Sequence, residues 1–159
     1  RNLTIIGNTD IHNLIAHDYN IGQEGVHRTM TLIMSKDRSA AGIREALEAG
    51  RTVAWSSKYL FGKEENVRNL MNACVSVGAP YHEKTNKNSG STTKYYEISN
   101  NSDLYFEMEL KSGNGTKRIV LYPESKQILT AEAGQSKLTY EVVSTFIRSD
   151  KHLMFDVKL

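Results

Sequence analysis

The chain has 159 residues, 39% hydrophobic and 24% charged, with a formal net charge of +2. That length can bury one core or a small pair of cores, while so slight a charge gives no argument for nucleic acid. No apolar run approaches the roughly 20 residues a membrane helix needs, and a single cysteine, Cys74, excludes an internal disulfide framework.

In chain order, the apolar run Leu3–Gly7 predicts a strand buried on both faces. Residues 8–28 read as a polar loop rich in His, Asp, Asn and Gly, placed after the carboxyl end of a strand, where α/β folds put their chemistry. Thr29–Met34 predicts a second strand. Ser39 is the expected N-cap of a helix running to Ala49, with Ala40, Ile43 and Leu47 inward and Gly50 as its stop. Thr52–Trp55 returns as a strand, and Lys63–Cys74 makes a second amphipathic helix with the stripe Val67, Leu70, Met71 and Cys74. Cys74 is thereby expected as a buried core thiol, and Arg51 as a cap on the preceding helix's carbonyls.

From Val75 the pattern changes to strands alone. Lys84–Thr93, almost wholly Lys, Asn, Ser, Thr and Gly, reads as an exposed loop or hairpin connection. Tyr95–Ser99, Leu104–Leu110, Lys117–Tyr122, Gln127–Ala131, Leu138–Ile147 and Leu153–Leu159 are the strand candidates. Leu104, Phe106, Met108 and Leu110 alternate with Tyr105, Glu107 and Glu109, as a sheet with one wet face requires. Short strands at this spacing predict an antiparallel sandwich over 76–159.

The chemistry-bearing motif is Thr9-Asp10-Ile11-His12. In extended backbone residues i and i+2 point the same way, so Asp10 and His12 can converge on one cation. Oxygen plus nitrogen suits zinc, manganese or iron, yet a zinc site usually takes at least three protein ligands. A strand-end Asp turn beside an exposed His is the competing reading of the same residues. His17 and Asp18, in the same loop, are either further ligands or solvated. Arg28, beside His27, is either a bidentate phosphate fork or a surface ion pair. His82 and His152 are expected at the surface.

The run Asn8 to His12, followed by His27-Arg28-Thr29-Met30-Thr31-Leu32 and by the segment Gly50-Arg51-Thr52, resembles the closing part of the PHP superfamily (polymerase and histidinol phosphatase) of metal-dependent phosphoesterases. The nearest likeness is to bacterial, often exported, phosphodiesterase-like members, and it covers about the first 75 residues. Asp10 and His12 match the superfamily's last metal-binding motif, a D-x-H at the end of a late barrel strand. The resemblance implies a fold that is α/β followed by all-β: the last βα units of a PHP-type barrel over 1–75, then the sandwich-like module over 76–159. It implies hydrolysis of phosphomono- or phosphodiesters by a metal-bound hydroxide, with divalent Zn, Mn or Fe, and Arg28, His27 and His17 as contacts to the substrate phosphate. A periplasmic or secreted location follows from the same likeness.

The superfamily's opening H-x-H and intervening ligand segments are absent, the five histidines being His12, His17, His27, His82 and His152. The expectation is a C-terminal fragment that supplies the final ligand pair and is inactive alone, with self-association through an exposed barrel edge. Any signal peptide of the parent protein is expected outside this sequence. The alternative is a non-catalytic accessory β module that docks on a hydrolase or recognises carbohydrate or protein. For it, Tyr95, Tyr96, Tyr105 and Tyr122 are either a binding platform or ordinary strand-packing tyrosines.

Overall fold

Alternating apolar residues and closely spaced turns make the chain mostly β, with 43% of the described residues in strands and 16% in helices. The computed structural model of the protein describes residues 3–19 and 27–159. Two compact units result: residues 1–67 with Thr145–Lys151, and Arg68–Ser144 with His152–Leu159.

The first unit holds α1 (Ile15–Asp18), β1 (Met30–Ile33), α2 (Ala40–Glu48), β2 (Thr52–Ser56), β3 (Tyr59–Gly62), the start of α3 (Glu64–Cys74) and the late strand β11 (Thr145–Phe146). Its sheet runs β1-β2-β3-β11, antiparallel except for the parallel β3–β11 pair. Ser39 caps α2 by accepting from the Gly42 N–H at 3.0 Å. At the other end Gly50, at φ 67°, lets the Arg51 N–H reach the Ala46 carbonyl at 2.9 Å. Asn66, 6% exposed, donates to the carbonyls of Gly50 and Thr52 at 2.8 and 3.1 Å and so fixes the helix exit against the sheet. A Cβ on Gly62 would come within 3.0 Å of both Val53 and Val67, so only glycine lets α3 seat this closely on the sheet.

This sheet corrects the expected barrel. A βαβ unit places its strands parallel through a right-handed crossover, whereas β1 and β2 are antiparallel around α2, and β2 turns directly into β3 at Ser57 and Lys58. Among the described residues no βα units of a PHP-type barrel are formed. Among the described residues Leu3–Gly7 belongs to no sheet, and Leu3 and Ile6 are 67% and 65% exposed rather than buried. Threonine side chains substitute for a ladder there: Thr31 bridges the Gly7 N–H and carbonyl, both at 2.9 Å, and Thr52 donates to the Ile5 carbonyl at 2.6 Å. In α2 it is Ala46 that is fully buried, while Ile43 is 38% exposed. The Arg51 side chain donates to the Met34 carbonyl and pairs with Glu45, and it is the Arg51 backbone N–H that caps a helix carbonyl. Residues 20–26 of the expected 8–28 loop lie outside the described residues.

The second unit takes in the end of α3, and from Val75 its regular structure is strands. One sheet centres on β6 (Thr92–Asn100), with β9 (Lys126–Glu132) on one edge and β4 (Val75–Val77) and β5 (His82–Thr85) sharing the other. The interruption between β4 and β5 holds Pro80, which has no N–H for a ladder. The other sheet runs β12 (Leu153–Lys158), β10 (Lys137–Val142), β7 (Phe106–Ser112), β8 (Arg118–Leu121). Period-two alternation fills the core: Tyr96 and Ile98, Phe106 and Met108, Leu138, Tyr140 and Val142, Leu153, Phe155 and Val157 are buried. Tyr140 reaches across to donate to the Thr116 carbonyl at 2.8 Å, and burial pushes its phenol well above the usual tyrosine range. The expected strand Leu138–Ile147 is divided, because the chain leaves β10 at Val142 and residues 145–146 join the first unit's sheet as β11.

Candidate functional site

Asp10 and His12 come together. His12 Nε2 lies 3.6 Å from Asp10 Oδ1, and their side chains are 85% and 91% exposed. Two donors on one tetrahedral ion, each about 2.1 Å from it, stand about 3.4 Å apart, so the pair has the spacing to share a cation. Asp10 also holds a left-handed backbone, φ 50°, which Asp tolerates better than most residues but which costs energy. The shell stops at these two: among the described residues no group of three His, Cys, Asp or Glu side chains is placed to hold a metal. The implied divalent ion therefore fits the geometry of the pair but finds no complete site within the described residues, and the pair alone supports no catalytic step.

The other expected residues go elsewhere. His17 is exposed on the four-residue α1. His27 lies against Trp55 with ring centroids 3.7 Å apart and planes tilted by 38°, and its Nδ1 and Nε2 lie 2.7 and 2.9 Å from the carbonyls of Arg28 and Ser57. Both ring nitrogens of His27 therefore face backbone carbonyls within hydrogen-bond distance, and the ring is engaged in the fold. Arg28 is exposed beside it. His82 makes a ring contact with Tyr95 at 5.2 Å.

The four tyrosines do not form one platform. Tyr95 and Tyr96 are adjacent on β6 and so face opposite ways, Tyr96 into the core at 4% exposure. Tyr105 meets Tyr122 edge-on at 5.7 Å. Burial, then the neighbouring Glu107 carboxylate that accepts from it at 3.0 Å, push the Tyr105 phenol up to about 12.

Sequence reading missed two clefts on the outer face of the β6–β9 sheet. One, of about 220 Å³, is lined by Tyr81, Glu97, Lys126, Gln127 and Ile128. The other, of about 300 Å³, includes Ser91, Thr93, Asn114, Thr130 and Glu132. The alternation of polar residues along both strands was legible; the pairing that brings them side by side was not.

Two sheets with period-two cores, joined by short turns, define a β-sandwich module, and a family model described as an Ig-like domain matches residues 75–158. The chain belongs to this family of Ig-like domains. Among solved structures it is similar to the 2.20 Å crystal structure of a two-domain protein from Bacteroides vulgatus ATCC 8482 that contains a predicted PHP-like metal-dependent phosphoesterase. The TM-score is 0.83 at 29% identity, over 99% of this chain and 46% of that one, so the present chain spans less than half of that protein's length. No curated protein matches.

Proposed function

We infer that the chain is a non-catalytic, Ig-like accessory module of a larger PHP-like metal-dependent phosphoesterase. The observation that carries this reading is the asymmetry of coverage: 99% of this chain corresponds to 46% of a two-domain protein whose name describes such an enzyme. The Ig-like match over 75–158 supports a binding or docking role for the second unit. Several apolar side chains of the first unit, Leu3, Ile6, Leu14, Ile33 and Ile43 among them, are 37% to 69% exposed, as expected of a surface that packs on further protein.

A second reading is favoured by the Asp10–His12 geometry: the pair lends two ligands to a metal whose remaining ligands come from outside this chain. In such an enzyme the ion would activate water and neutralise charge on the phosphoryl oxygens. The test is hydrolysis of bis(p-nitrophenyl) phosphate by the 159-residue chain and by the whole gene product. Turnover by the whole product alone supports an accessory module, and turnover by the short chain refutes it. Loss of the whole product's metal on Asp10→Ala separates the second reading from the first.

A further inference from the structure

The outward face of the β6–β9 sheet carries its own chemistry. Thr93, Tyr95 and Glu97 alternate along β6, and Ile128, Thr130 and Glu132 along β9. Register places Thr93 beside Glu132, Tyr95 beside Thr130, and Glu97 beside Ile128. Cross-strand partners share a face, so the two clefts lie in one line, separated by roughly 13 Å of strand from Thr93 to Glu97. Tyr95, backed by His82, sits between them. Tyr81, 59% exposed, and Ile128, 60% exposed, flank the first cleft.

The polar groups are those that read uncharged hydroxyls. Glu97 is already paired with Lys126 at 2.7 Å. Asn114 donates to Glu132 at 2.8 Å, and Thr130 shares a hydroxyl hydrogen bond with Thr116 at 2.9 Å. Amide, hydroxyl and carboxylate together offer both donors and acceptors. The residual charge of the lining, two carboxylates against one ammonium, is unfavourable for phosphate or a polyanion. A pyranose presents an apolar C–H face and a rim of hydroxyls, so the exposed Tyr81, the half-buried Tyr95 and flat polar side chains complement both parts of it.

We propose that this face binds a neutral glycan chain, seated on Tyr81 and Tyr95 and hydrogen-bonded through Asn114, Thr93 and Glu132. The proposal rests on the accessory-module reading, to which it adds a ligand class and a location. The experiment is calorimetric titration of the 159-residue chain with cellohexaose, xylohexaose, maltohexaose, mannohexaose and chitohexaose, with heparin and an extended hexapeptide alongside. Binding of a neutral hexasaccharide is expected, weakened about tenfold or more by Tyr81→Ala and again by Glu132→Gln, with thermal midpoints unchanged. Absence of binding to every neutral sugar overturns it. So does a sugar affinity indifferent to both substitutions, or a preference for heparin or the peptide. A chain that neither binds sugar nor hydrolyses phosphodiester loses this proposal and keeps the accessory reading, whereas one that hydrolyses phosphodiester loses the accessory reading.

Discussion

His27 and Trp55 meet with ring centroids 3.7 Å apart and planes tilted by 38°, and both imidazole nitrogens turn to backbone carbonyls, of Arg28 and Ser57. The ring thus ties the entry of β1 to the β2–β3 turn. His27→Ala removes the ring contact and the imidazole's hydrogen bonding to the backbone, and should destabilise the chain by about 1–3 kcal/mol. Urea unfolding measures this, and the metal content of the whole gene product should not change.

Phe61 and Phe146, partners in the parallel β3–β11 register, stack with centroids 5.2 Å apart and planes 9° from parallel. Because β10 and β12 are antiparallel neighbours, a short turn can join them in place of Thr145–Lys151. That replacement is expected to speed amide exchange in β3 while β10 stays protected, as hydrogen exchange by mass spectrometry would show. A double-mutant cycle of Phe61→Ala with Phe146→Ala should return a coupling of about 0.5–1.5 kcal/mol.

Asn100, 2% exposed, donates to the carbonyls of Leu104 and Tyr122 at 2.6 and 2.9 Å and accepts from the Ser102 hydroxyl at 2.7 Å. Asn100→Ala strands these buried groups and should cost about 1–3 kcal/mol. Chemical unfolding with unchanged slope is the check.

Tyr105 titrates at about 12 in the folded chain against 10.0 for a free phenol. A raised folded value means the stability is fully present below pH 10 and is lost as pH rises through the folded value. Alkaline unfolding should therefore be shallower in Tyr105→Phe between about pH 10 and 12, read by circular dichroism. Tyr140, raised by burial alone, contributes with the same sign.

The parts of the fold legible in the sequence were those that local chemistry decides. Ser39 and Gly50 marked the ends of α2, and alternation in Phe106–Leu110 and Leu153–Val157 marked core strands. Long-range pairing was not legible. The apolar run Leu3–Gly7 read as a strand, but a strand needs a neighbour, and among the described residues the hydroxyls of Thr31 and Thr52 meet this segment in place of a ladder. The β1-α2-β2 run has the residue pattern of a crossover, while its antiparallel pairing is decided by register, as is the path that takes Thr145 and Phe146 to β3. At the site, Asp10 and His12 do lie close, but with Asp10 in a left-handed backbone and not in the extended one that the i, i+2 argument assumed. The contact of His27 with a tryptophan distant in sequence left no local trace.

The most direct test of the central reading is the metal stoichiometry of the purified 159-residue chain beside that of the whole gene product, measured by plasma mass spectrometry after dialysis against zinc and manganese. The account predicts firmly bound metal in the whole product and none retained by the chain. Stoichiometric metal on the chain alone would contradict it.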